Sequence, residues 1–96
     1  MTSKQRAYLR SLASNIDAII QIGKDGFGEN LIIQVDGALK KRELIKITVL
    51  ETSPDSAQDA AIALANATKS DVVQVIGRKI VLFRRNPQEP KIEFKK

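Results

Sequence analysis

Apolar residues recur along the chain at two periods, and each change of period marks a new element. Tyr8, Leu9, Leu12 and Ile16 fall on one helical face behind Thr2-Ser3-Lys4-Gln5, a stretch with capping-box spacing, so a first helix is predicted from about Ser3 to Ser14. Ile19, Ile20 and Ile22 form a β-branched run that stops at Gly23-Lys24-Asp25-Gly26, the pattern of a strand entering a glycine loop. Beyond the loop, Phe27, Leu31, Ile32, Val35, Ala38 and Leu39 keep helical spacing as far as Lys40-Lys41-Arg42, a second helix. Ile45, Ile47 and Val49 then alternate with Lys46 and Thr48, as in a strand with one face buried.

Ser53-Pro54 offers an N-cap with proline at the first helical position and opens an alanine-rich helix from about Pro54 to Thr68. Two β-rich runs follow, Val72 to Ile76 and Lys79 to Arg84, joined by Gly77-Arg78, a two-residue hairpin signal. The order is α-β-α-β-α-β-β, an α/β chain that some schemes place in α+β. Residues 1–85 are read as one domain. Residues 86–96, with Pro87 and Pro90, are read as a flexible tail with at most a short extended piece near Ile92 to Phe94.

A right-handed β-α-β crossover joins parallel strands, so the first three strands should share one direction. The Gly23 loop, the Ser53 loop and the Gly77-Arg78 turn then emerge along one edge of the sheet. The short link over Asn15 to Asp17 is expected to send the first helix back antiparallel to the first strand, returning Lys4 and Arg6 to that edge. Lys4, Arg6, Lys24, Arg78 and Lys79 form a candidate basic rim, with Lys40 to Arg42, Arg84 and Arg85 at the opposite end.

Composition sharpens this picture. The chain has 96 residues, enough for one modest core, and no run approaches the roughly 20 apolar residues of a membrane span. Its first residues lead into a charged helix, with no apolar signal region, and the expectation is a cytoplasmic protein. It has no cysteine and no histidine, which removes thiolate chemistry, the usual zinc ligands and the side chain most used for proton transfer near neutral pH. No catalytic site, metal site or cofactor is expected. Sixteen Lys and Arg against eleven Asp and Glu give a formal charge of +5, a balance that suits a polyanion as well as mere solubility.

The motifs carry different weights. Gly23-Lys24-Asp25-Gly26, between a strand and a helix, lets backbone approach a ligand closely and precedes a helix N-terminus whose N–H groups attract phosphate. A GxxG loop of this kind clamps nucleic-acid backbone in KH domains, although on the motif alone a plain turn stands slightly ahead. It is neither a Walker loop nor a dinucleotide fingerprint. Lys40-Lys41-Arg42 fits a helix C-terminus, Arg84-Arg85 a strand end, and the group Glu51, Asp55 and Asp59 the start of the third helix. Arg6 and Arg10 at i,i+4 repel each other unless a polyanion crosses them, so Arg10 joins the candidate set. Tyr8, Phe27 and Phe83 read as core, and with four aromatics in all, recognition of backbone and shape is favoured over base stacking.

Four ordered blocks carry a family resemblance over nearly the whole chain: Lys4 to Ala13, Ile22 to Gly26, Glu43 to Ile47, and Val73 to Arg84. They resemble the YhbY family, the stand-alone form of the CRM domain named for chloroplast RNA splicing and ribosome maturation. The resemblance implies a two-layer fold like the C-terminal domain of translation initiation factor three, with a mixed four-stranded sheet whose last strand is antiparallel. It also implies RNA binding without catalysis, association with precursors of the large ribosomal subunit, and Gly23, Lys24, Asp25 and Gly26 at the RNA surface. The chain departs from the family pattern at Phe27-Gly28, where a Ser or Thr cap is expected. The expected partner is ribosomal RNA or a pre-ribosomal particle, bound by a monomer. A module that docks on an acidic partner or a ribosomal protein is the alternative.

Overall fold

The computed structural model describes residues 1–93. Its elements are α1 (Ser3–Ala13), β1 (Ala18–Ile22), α2 (Glu29–Arg42), β2 (Leu44–Val49), α3 (Ala57–Thr68), β3 (Asp71–Ile76) and β4 (Lys79–Phe83), in the order the periodicity predicts. The strands form one mixed sheet, β1-β2-β4-β3, with β1 and β2 parallel and β4 antiparallel to both neighbours. The first three strands therefore share a direction, and β4 returns from its hairpin into the gap between β2 and β3.

Local chemistry explains the boundaries. Thr2 Oγ1 accepts from the Gln5 N–H and Gln5 Oε1 from the Thr2 N–H, both at 3.0 Å, completing the capping box of α1. The third helix starts later than Ser53-Pro54 suggests. Ser53 Oγ accepts from the Asp55 N–H at 3.1 Å and closes a turn, and it is Ser56 that caps α3 through the Asp59 N–H at 3.1 Å. Gly77, at φ 55, makes the β3–β4 turn, a conformation that favours glycine.

The alternation of β2 and β4 splits the core. Ile45, Ile47, Ile80 and Leu82 meet Leu31, Val35 and Leu39 of α2 and Ala60, Ala61 and Leu64 of α3. On the other face, Leu44, Val73, Val81 and Phe83 meet Leu9 and Ala13 of α1. The two-layer frame of α2 and α3 on a sheet thus carries α1 as a partial third layer. α1 crosses β2 and β3, which corrects the expectation that it runs back along β1. Its seat is set by where Leu9 and Ala13 find apolar partners, in the half of the sheet far from the glycine loop.

Residues 86–93 also differ from a free tail. Glu43, fully buried, accepts from the backbone N–H groups of Asn86 at 2.6 Å, Lys91 at 2.5 Å and Ile92 at 2.8 Å. Ile92 then packs against the α1 core, and no strand forms there; Phe94, the end of the suggested extended piece, lies outside the described residues.

Candidate nucleic-acid interface

β1 delivers the chain into the glycine loop, where the Gly26 N–H donates to the Gly23 carbonyl at 3.0 Å. Gly26 sits at φ 64, and a Cβ there would come within 2.6 Å of Asp55 Oδ2 and 2.8 Å of Pro54 Cγ. Backbone conformation and close approach both require glycine. The same Asp55 oxygen accepts from the Phe27 N–H at 2.9 Å, so the loop before α3 clamps the glycine loop. This corrects the assignment of Asp55 to the dipole of the third helix. α2 begins at Glu29 behind Gly28, which provides no side-chain cap for the N–H groups of its first turn.

Backbone bonds hold the neighbouring turns beside the loop. The Leu50 N–H donates to the Ile22 carbonyl at 2.9 Å and the Val49 N–H to the Arg78 carbonyl at 2.7 Å. A cleft of about 390 Å³ opens between Ser53–Asp55 and Gly77–Arg78. Lys24, Asp25, Arg78 and Lys79 are exposed along this edge. The Arg78 guanidinium lies 3.7 Å from Glu51, and Lys79 Nζ donates to Thr48 Oγ1 at 2.7 Å. Lys24, Arg78 and Lys79 are balanced in formal charge by Asp25, Glu51 and Asp55, so the edge alternates in sign.

The structure gathers Gly23, Lys24, Asp25, Gly26, Arg78 and Lys79 and leaves Lys4, Arg6 and Arg10 elsewhere. Arg6 Nη1 donates to the carbonyl of Val72, near the start of β3 and, at strand rise, roughly 13 Å from its loop end. Lys4 and Arg10 ride on the same helix within about a turn of it. The oblique seat of α1 is the cause. Phe27, expected in the core, is 38% exposed beside the loop, because α2 begins two residues after it. Phe83 is buried and Tyr8 half-buried.

The far end of the sheet uses its charges internally. Arg84 Nη1 donates to Asp36 Oδ1 at 2.7 Å and to the Thr68 carbonyl at 2.8 Å, while Nη2 reaches the Asp36 carbonyl at 3.1 Å. This guanidinium joins α2, α3 and the end of β4. Its hydrogen bond and charge, with help from Lys40, outweigh burial and hold the Asp36 carboxyl below its ordinary value. At Glu43 burial pushes the carboxyl up, but the three tail N–H groups and the charge of Arg85 prevail and hold it below its ordinary 4.5. Sequence alone does not single out Glu43 or Asp55, since each finds its partners more than 25 residues away in the chain. Among the described residues no group of three carboxylates is placed to hold a metal ion, and no helix is long and apolar enough to cross a membrane.

The sequence and the fold have counterparts among known proteins. The chain is similar to the Probable RNA-binding protein YqeI of Bacillus subtilis, with 41% identity over 94 residues and 98% of each chain covered. An RNA-binding protein of Haemophilus influenzae is 31% identical over 94 residues, covering 98% of this chain and 94% of its own. The solution structure of SAV1595 from Staphylococcus aureus superposes with a TM-score of 0.82 at 49% identity, over 99% of both chains. The model of the CRS1 / YhbY (CRM) domain matches residues 1–84, and the chain belongs to that family.

Proposed function

We propose that the protein binds RNA, holding the sugar–phosphate backbone at the edge formed by Gly23–Gly26, Lys24, Arg78 and Lys79. The observation that carries this reading is the loop itself, a glycine turn held by Asp55 in front of an uncapped helix N-terminus, with exposed cations on its own strand connection and on the hairpin beside it. Such an edge positions phosphates and reads no base directly. The exposed ring of Phe27 adds an apolar surface for a sugar or an unpaired base. Relatives named as RNA-binding proteins support the same partner. The family resemblance extends the reading to ribosomal RNA or pre-ribosomal particles, with the large-subunit precursor favoured, and to a monomeric assembly factor in the cytoplasm.

Titration of ribosomal RNA fragments against salt tests it. Three phosphates neutralised on single-stranded RNA give a slope of log K against log salt of about −2. Lys24→Ala is expected to weaken binding evenly across sequences with the melting temperature unchanged. Absence of salt-dependent retention on the bare fragments favours a protein partner, and a large loss of melting temperature in Lys24→Ala with RNA affinity unchanged returns the loop to a structural turn. Crosslinking and sequencing of RNA bound in cells identifies the ribosomal segment.

A further inference from the structure

Among the described residues, the loop end of the sheet's α1 face lies beyond the reach of α1. On the α1 face the register places Gln21, Thr48, Lys79 and Ile76 in a single row across all four strands, at the glycine-loop end. The next row sets Lys46 beside Val81 and Gln74. α1 begins to cover the face at that second row, on Val81, and continues over Leu44, Val73 and Phe83, so the first row lies open and the second only in part. Gln21 and Lys79 are therefore exposed, Ile76 is 61% exposed, and Thr48, Lys46 and Gln74 are half-buried.

The chemistry of this surface differs from that of the loop edge. Neither row contains a carboxylate, whereas the loop edge interleaves each cation with an acid. Lys79 is steered onto the row by its bond to Thr48, its register partner. At a strand spacing of about 4.8 Å the row is roughly 14 Å wide. It offers two ammonium groups among uncharged hydrogen-bonding side chains and no aromatic ring. That is a surface for backbone and sugar rather than for stacked bases.

We propose that this open row is a second contact surface for the same RNA, continuous with the glycine loop, and that Lys79 and Lys46 take the phosphates of the single strand as it leaves the loop. The inference rests on the RNA-binding reading and adds Lys46, which stands apart from the loop edge. Its occupant is the polyanionic backbone, chosen by the acid-free charge of the row and by its continuity with the loop through Lys79.

The test compares a tetranucleotide, long enough to fill a GxxG loop, with a dodecanucleotide that also crosses the row. Lys46→Gln is expected to weaken the dodecanucleotide roughly fivefold and to reduce its salt slope by about 0.7, leaving the tetranucleotide unchanged. Lys46→Glu should weaken the longer RNA further, and Lys41→Gln, at the far end of α2, should affect neither RNA. Melting curves verify the fold, and the glutamine variant carries the test if the glutamate variant does not fold. Wild-type affinity and salt slope in Lys46→Gln overturn the proposal, as does equal weakening of both RNAs. Failure of the unaltered protein to bind either RNA instead overturns the RNA reading itself.

Discussion

The two ends of the sheet carry similar residue types and use them in opposite ways. At the far end Arg84 makes three hydrogen bonds and Glu43 accepts three, and both join elements distant in sequence. At the loop end Arg78 and Glu51 face each other at 3.7 Å with more than half of each side chain in water, a pair worth about 0.5 kcal/mol. Charges locked by several bonds hold the fold together. Charges left in water remain available to a ligand. The contrast lies in the partners that tertiary structure supplies, since Arg78 and Arg84 both adjoin the last strand.

Charge reversal at both ends should break the symmetry most clearly. Arg78→Glu with Lys79→Glu changes four units of charge beside the loop, and at about 1 kcal/mol per unit it should weaken RNA binding roughly a thousandfold. The melting temperature should hold. Lys40→Glu with Lys41→Glu is expected to leave RNA affinity nearly intact and to cost about 1–2 kcal/mol of stability through the α2 dipole. Titration with one RNA at one salt concentration, beside thermal melts, checks both. The opposite pattern would place the RNA across the far end.

The next effect is on stability. Glu43→Ala strands three backbone N–H groups and should cost about 2 kcal/mol, or roughly 10 °C in melting temperature, without changing RNA affinity where the protein is folded. The lowered pKa values of Glu43 and Asp36 give this a pH signature. Groups depressed in the folded state contribute fully above the ordinary carboxylate range and lose that contribution as pH falls through their folded values. Stability should be flat above about pH 5 and fall below about pH 4, and Glu43→Gln should flatten that fall.

Smaller effects refine the loop end. Gly26→Ala meets both a positive φ and the Asp55 carboxylate, for a cost of about 1.5 kcal/mol, whereas Gly77→Ala, with no atom within 4 Å of the added carbon, carries only the backbone cost of about 1 kcal/mol. Only the first should also reduce RNA affinity, by displacing the loop. The smallest effect is a gain: Glu51→Gln frees Arg78 and should tighten RNA binding about threefold, an increase lost at high salt.

Much of this molecule is legible in its sequence because period encodes face. Alternation at Ile45, Ile47 and Val49, the glycines at 23, 26 and 77 and the right-handed sense of β-α-β crossovers together predict parallel strands, a hairpin and a shared edge for their loops. The choice among cations was not legible. Whether Arg6 or Arg78 reaches that edge depends on the angle at which α1 crosses the sheet, and that angle follows from where Leu9 and Ala13 are seated. Helical spacing assigned Phe27 to a buried face, but the helix begins beyond it. Asp55 and Glu43 acquire their roles only when distant segments meet, which no local pattern records.

The strand order also bears on how the protein tolerates crowding by its own copies. Its edges are β1 and β3, and both carry a register irregularity, between Ala18 and Ile20 and between Val72 and Gln74, while the central β2–β4 ladder runs without one. A bulged edge twists away from a straight ladder and offers a poor template to an incoming strand. Arg6 completes the defence of β3 by occupying the Val72 carbonyl at that bulge. A chain with short strands and a +5 charge is thereby guarded against edge-to-edge polymerisation by shape as well as by repulsion, and an Arg6 variant exposes how much of that guard is geometric.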